Sequence, residues 1–332
     1  MAPVYQIDNA ACVIKPCASV RLRRKVTQTA LPSALLTALS RGTTLKILCV
    51  SQNKGGVGKT SLVKLIAVGM AMRGLRVLAL DLDAQCNLSK RFLVMERDPS
   101  APDGASPPTH PDYNPAEDVE WNGISSTADI YTGRLVVPYP TDVKNLDLLP
   151  GNGPELREVE LVSRAEVVER VHGTLREFLR KPEVAELYDL VVIDTPPSKG
   201  PLVLSAMRAA THVVVPTQME PNSVEGLEGM FAMWMQESRY READDAIDLV
   251  GILPNMVRNV ALHVGVKDSL LKDRSLGPMM LPVQLGHRTA FAETDHDSAR
   301  PGSVFQLPAR NPARREAEEV VAKIAERMGV AA

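Results

Sequence analysis

The chain has 332 residues, with 38 Lys and Arg against 40 Asp and Glu, a formal net charge of −2 and 45% hydrophobic residues. That length can bury a substantial core in one large domain, and the near-zero charge excludes a global electrostatic pull toward nucleic acid or membrane. No apolar run approaches the ~20 residues of a membrane-spanning helix, and the N-terminus lacks the apolar core of a signal peptide.

Residues 1–44 read as an extension that precedes the first strand. It carries a basic segment, RLRRK at 21–25, and a short helix with an apolar face and a glycine stop, LPSALLTALSRG at 31–42. LKILCV at 45–50 follows as a buried strand, and SLVKLIAVGMAMRG from Ser61 has apolar residues at helical spacing up to Gly74. Between them lies SQNKGGVGKTS, residues 51–61, a glycine-rich strand-to-helix loop with two lysines, Lys54 and Lys59. In that context backbone N–H groups and the helix N-terminus converge on an anion. Lys59 is predicted to reach the β- and γ-phosphates of a nucleotide, and the Thr60 hydroxyl to bind Mg²⁺. Asn53 stands where the usual G-x-x-x-x-G-K-[ST] pattern has its first glycine.

The form K-G-G-V-G-K-T resembles the deviant phosphate loop of the ParA/MinD family of dimeric ATPases. The resemblance implies an α/β fold, with a doubly wound, mostly parallel sheet and helices on both faces. It further implies a homodimer with two ATP molecules between the subunits, in which Lys54 reaches the partner's nucleotide. A cation added there stabilises charge on the transferring group and links ATP binding to dimerisation. The nucleotide-binding set so implied is Lys54, Gly55, Gly56, Val57, Gly58, Lys59, Thr60 and Ser61, with ATP and Mg²⁺ as the cofactors.

LRVLALDLDAQCNLS, residues 75–89, reads as a second apolar strand ending in two aspartates. It is similar to the family's D-x-D-P-Q-x-N segment through Asp81, Asp83, Gln85 and Asn87, with Ala84 in place of a common proline and Cys86 of a common glycine. Asp83 is thereby expected to orient the attacking water, which makes Lys54, Lys59 and Asp83 the catalytic set. Residues 96–122 form a proline-rich, acidic insertion whose composition predicts an irregular, mobile loop. NLDLLPGN at 145–152 returns as a strand and turn.

YDLVVIDTPPS at 188–198 is an apolar run that puts Asp194 at a strand's C-terminal end, where ligands sit in open α/β sheets. It resembles the family's Walker B segment, which places Asp194 near Mg²⁺ through water. ATHVVVPTQMEPNSVEGLEGM at 210–230 repeats the family's strand, V-P-x-x-x-E turn and helix, and DLVGILPNM at 248–256 adds a strand. Asn255 occupies the position at which relatives contact adenine, although an asparagine at a strand end is ordinarily a turn residue.

The last helix, ARREAEEVVAKIAERM at 313–328, has an apolar stripe and no aromatic anchor, so it is expected to pack onto the sheet. The four cysteines, Cys12, Cys17, Cys49 and Cys86, show neither zinc spacing nor a pair suited to an iron–sulfur cluster, and suit reduced thiols in a cytoplasm. The remaining resemblance is to the ParA branch. It implies a cytoplasmic, nucleoid-associated ATPase whose ATP-bound dimer binds DNA without sequence preference, with no membrane partner. A ParB-like centromere-binding or adaptor protein would stimulate hydrolysis and drive segregation of plasmid or chromosome DNA. LGHRTAFAET at 285–294 resembles the family's DNA-contacting segment, which nominates Arg288, with Arg310, Arg314 and Arg315 extending the surface. Two alternatives are positioning of a protein cargo, such as a carboxysome or chemoreceptor cluster, and a MinD-like division-site regulator.

Overall fold

The computed structural model describes residues 44–97, 104–162, 164–295 and 302–330. The basic segment and short helix expected within 1–43 lie outside the described residues.

The apolar runs become inner strands and the amphipathic runs become helices. In chain order these are β1 (Lys46–Val50), α1 (Lys59–Met72), β2 (Val77–Asp81), β3 (Glu96–Arg97) and β4 (Ala105–Ser106). Then come α2 (Ala128–Thr132), β5 (Tyr139–Pro140), β6 (Leu146–Leu149), α3 (Gly153–Glu160), α4 (Ala165–Leu179), α5 (Pro182–Leu187), β7 (Leu190–Asp194) and α6 (Pro201–Ala209). The remainder comprises β8 (His212–Thr217), α7 (Pro221–Arg239), β9 (Asp248–Pro254), α8 (Ala261–Lys272), α9 (Thr289–Glu293) and α10 (Pro312–Met328).

Seven strands form one sheet in the order β5-β6-β2-β7-β1-β8-β9, parallel throughout except where the short β5 pairs antiparallel with β6. Alternate strand residues enter two different cores, as a sheet covered on both faces requires. Ile47, Cys49, Leu78, Leu80, Val191 and Ile193 face α4, α6 and α7. Leu48, Val50, Val77, Ala79, Leu190 and Val192 face α1 and α10. This is the doubly wound α/β architecture that the resemblance implies.

α10 packs as its apolar stripe implies. Ala313, Ala317, Val320, Val321, Ile324 and Met328 are all buried. Asn311 caps the helix through the Ala313 N–H, Pro312 opens it, and Gly329 ends it at φ +62°. Gly69 of α1 makes the contact possible, because a Cβ there would lie 2.7 Å from a Val321 methyl carbon.

Residues 98–103 lie outside the described residues; from Gly104 onward the insertion is irregular, as expected, but several of its side chains pack together. His110 meets Trp121 and Tyr139 at ring-centroid distances of 5.2 and 4.6 Å, and Tyr113 meets Trp121 edge-on at 5.5 Å. The Trp121 indole donates to the Ile124 carbonyl at 2.8 Å, and Asp118 accepts from the Asn114 N–H at 2.9 Å. Prolines and acids dominate the composition, yet a few aromatic side chains supply enough buried area to fix the chain.

Candidate phosphate-binding site

Three neighbouring strands end at one place. Register pairs Val50 with Asp194 and Asp81 with Asp194, so the loop after β1, the acids after β2 and the acid of β7 share one sheet edge. This is the carboxyl edge at which open α/β sheets bind ligands.

The loop from Ser51 enters α1 through Gly58, which sits at φ +81°. The first intrahelical bond runs from the Leu62 N–H to the Gly58 carbonyl at 3.0 Å. The N–H groups of Lys59, Thr60 and Ser61 therefore have no partner inside the helix, and donors of that kind suit an anion. The Lys59 side chain is buried and its amine donates to the Lys54 carbonyl at 3.3 Å. Burial pulls the Lys59 amine below its ordinary range, with Asp194 and Asp83 working against it.

Opposite the lysine lie three acids with different roles. Asp81 is fully buried and spent on structure. It accepts from the Asp83 N–H at 3.1 Å, the Ser89 N–H at 2.9 Å and the Ser89 hydroxyl at 2.7 Å. Burial nonetheless pushes its carboxyl up to about 6. Asp83 accepts the Gln85 N–H at 2.9 Å, which turns the backbone so that the loop doubles back. Cys86 completes that turn at φ +52°, where a glycine would be unstrained. Asp194 differs from both: its two carboxylate oxygens are buried with no hydrogen bond of ordinary geometry, although the Thr60 hydroxyl lies close enough to stabilise the charged form. Burial and the neighbouring charge of Asp81 raise Asp194 well above the usual carboxylate range.

An orphaned buried carboxylate is costly unless something cationic completes it. Among the described residues no group of three or more His, Cys, Asp or Glu side chains could hold a metal unaided. The donors present are hard oxygens, the Thr60 hydroxyl and the Asp194 carboxylate. They fit Mg²⁺, which takes one or two protein oxygens and completes its shell with phosphates and water.

Several contacts hold the loop in place. Asn255 donates its side-chain amide to the Val57 carbonyl at 2.7 Å and accepts from the Met256 N–H at 3.0 Å. Gln218 donates to the Gly56 carbonyl at 3.1 Å. Lys54 pairs with Glu220 at 3.6 Å, so its amine is held within its own chain at the start of α7. Sequence reasoning assigned no site role to Gln218 or Glu220, although both lie in the V-P-x-x-x-E turn. The Asn255 amide, expected at adenine, is committed to the loop backbone in this structure.

The nominated arginines gather at one end of α10, and two of the four are paired. Arg288 contacts both Glu316 oxygens through Nε at 3.0 Å, and Arg314 pairs with Glu318 at 2.7 Å while donating to the Leu307 carbonyl. Arg310 and Arg315 are exposed. The structure also sets Arg258, Lys267 and His287 along one cleft with Arg288, basic side chains that the linear sequence did not single out.

A family model described as an AAA domain matches residues 45–242. The chain is 28% identical over 289 residues to the chromosome-partitioning ATPase Soj of Thermus thermophilus, covering 84% of this chain and 96% of that protein. It is 34% identical over 198 residues to a putative replication protein A of Rhizobium rhizogenes, over 58% of this chain and 45% of that protein. It is 32% identical over 190 residues to the chromosome partitioning protein ParA of Myxococcus xanthus, over 55% of each. The chain thus spans about half the length of these last two relatives. Among solved structures, Cyanothece McdA in complex with ATP superposes with a TM-score of 0.61 at 17% identity, over 88% of this chain and 99% of that one. A putative plasmid partition protein of Borrelia burgdorferi gives 0.60 at 18% identity, over 86% of this chain and 100% of that one. At those identities the likeness is one of fold.

Proposed function

Because this chain belongs to the AAA-domain family of P-loop ATPases and, within it, to the ParA/MinD type, we propose that it is a Mg²⁺-dependent ATP hydrolase that partitions DNA as an ATP-linked homodimer. The observation that carries this reading is the unpartnered Asp194 carboxylate facing a buried Lys59 across the phosphate loop. The arrangement suits a polyanion and its cation. Mg²⁺ would neutralise charge on the phosphates while held by Thr60 and, through water, Asp194. Lys59 and the open N–H groups of α1 bind the phosphates, and Asp83 orients the attacking water. In a dimer, Lys54 leaves Glu220 for the partner's nucleotide. A half-exposed pair of this kind is worth about 1 kcal/mol or less, so its exchange costs little.

DNA contact is assigned to the end of α10 and the adjoining cleft, with Arg288, Arg310, Arg314 and Arg315 as the contacting residues. Two such patches on a dimer double the counterions released, which makes binding ATP-dependent and salt-steep without base readout. A ParB-like adaptor is the expected stimulator. The apolar face of α10 is spent on the core, which disfavours a MinD-like membrane role for it. No helix among the described residues is long and apolar enough to cross a membrane.

The test is phosphate release by the full chain with MgATP, paired with gel shifts on unrelated duplexes with and without ATP. Release that requires Lys59 and Mg²⁺, with ATP-dependent shifts lost in Arg288→Glu, is expected. No release even with DNA and a cognate adaptor present would overturn the hydrolase reading. Equal shifts without ATP, or full shifts by Arg288→Glu, would overturn the assigned surface.

A further inference from the structure

Ser61 occupies the first turn of α1 beside the phosphate position, yet its hydroxyl does not face that position. It donates to Asp295 at 2.7 Å, across a sequence separation of 234 residues. The same carboxylate pairs with Lys64 of α1 at 3.3 Å and with Arg91 at 3.3 Å. Arg91 closes the 3-10 turn Ser89–Arg91, which follows directly from the loop of Asp83. Lys64 also donates to the Thr294 carbonyl at 3.1 Å, which secures the end of α9 to α1. The cluster is enclosed, since the side chains of Asp295, Lys64 and Arg91 are 13%, 12% and 28% exposed.

Two physical consequences follow. A serine hydroxyl has a single proton, and while Asp295 accepts it no phosphate oxygen can. The carboxylate also offsets the charge of Lys64 and Arg91, and so lowers the positive potential that an incoming polyanion meets. We propose that Asp295 is a positioning residue for the nucleotide: it holds the Ser61 proton off the phosphates, leaves Ser61 to serve them through its backbone N–H, and moderates the charge beneath the loop. The inference rests on the phosphate-loop reading of the site. It explains why a serine in the first helical turn is paired with a distant acid and not left free for the ligand. A loop moderated in this way releases its product more readily than its full complement of donors would allow.

The experiment is displacement of a fluorescent ADP analogue by ADP, with Mg²⁺, from the full chain at low and high salt. Asp295→Asn keeps an acceptor for Ser61 but removes the charge. It is expected to tighten MgADP about threefold to tenfold at low salt, with the gain shrinking as salt is added. Ser61→Ala removes only the hydroxyl and keeps the backbone N–H, so adding it to Asp295→Asn is expected to preserve most of that gain. Asp295→Ala also frees the hydroxyl and is expected to exceed Asp295→Asn, the excess vanishing when Ser61→Ala is added. A tenfold loss on Ser61→Ala alone would show that the hydroxyl serves the phosphates and would overturn the proposal. So would unchanged or weaker affinity in Asp295→Asn at low salt. If wild type itself binds no MgADP, the phosphate-loop reading falls and this inference with it.

Discussion

The side-chain nitrogen of Asn255 donates to the Val57 carbonyl at 2.7 Å, and a Cβ placed on the next residue, Gly58, would lie 2.6 Å from that same nitrogen. The end of β9 and the start of α1 are thus locked together by one amide and one missing methyl group. Gly58→Ala should cost about 1–2 kcal/mol in backbone strain at φ +81° and also dislodge the amide. Affinity for MgADP should fall at least tenfold, by the same displacement measurement. Asn255→Ala should give a smaller loss, because the Val57 carbonyl loses a partner while the glycine keeps its conformation. Equal affinity in Gly58→Ala would show that the amide contact is incidental.

Lys54→Ala should keep nucleotide binding within a few-fold, since Lys59 and the helix N–H groups remain. It should lose the ATP-dependent dimer and most turnover, because the cation offered to the neighbouring subunit is gone. Light scattering with MgATP against MgADP, alongside phosphate release, reads both. A normal dimer with normal turnover would reduce Lys54 to a structural role within its own chain, as in its pair with Glu220.

Asp83→Ala should separate binding from chemistry. The variant retains MgATP and the dimer, while hydrolysis falls by about two orders of magnitude through loss of water positioning. Dissociation into monomers with ATP present would move the role to another residue.

Stability should fall on mild acidification in a way traceable to His212. Its ring is buried in β8, and burial lowers its pKa to about 4. An unfolded chain takes up that proton below about 6.5, whereas the folded chain resists until about 4. The contribution is therefore intact above 6.5 and is lost as pH falls through the window. Urea midpoints at pH 7.5 and 5.0 should differ more for wild type than for His212→Gln. Equal differences would locate the acid sensitivity elsewhere.

The phosphate loop was legible because its chemistry is written within eleven consecutive residues, and the two acidic strand ends because apolar runs terminate visibly in aspartate. Helix α10 was legible from its apolar stripe. What escaped depends on partners brought together by crossovers of the parallel sheet. Nothing near Asp295 in the chain announces Ser61, and nothing near Gln218 announces the Gly56 carbonyl. Asn255 was found as a residue, but the local sequence holds no sign that its amide would close on Val57. In the insertion, the signal lay in Tyr113, Trp121 and His110, three side chains outweighed in a reading that counted prolines and charges. Cys86 gave no warning of a left-handed backbone, because cysteine has no preference for one.

The placement of β1 has a consequence for how the molecule is made. Its two hydrogen-bonding neighbours are β7, at Leu190–Asp194, and β8, at His212–Thr217, both synthesised long after the loop has left the ribosome. Through that interval the nascent chain carries the glycines and lysines of the site with no sheet edge to mount them on. It also carries the apolar runs of β1 and β2 with no neighbour between them, since β7 is the strand that separates the two. Non-local parallel pairing of this kind is slow and leaves sticky segments exposed, which makes the growing chain a client for chaperones. A fragment ending before Leu190 should bind no nucleotide, however complete its phosphate loop.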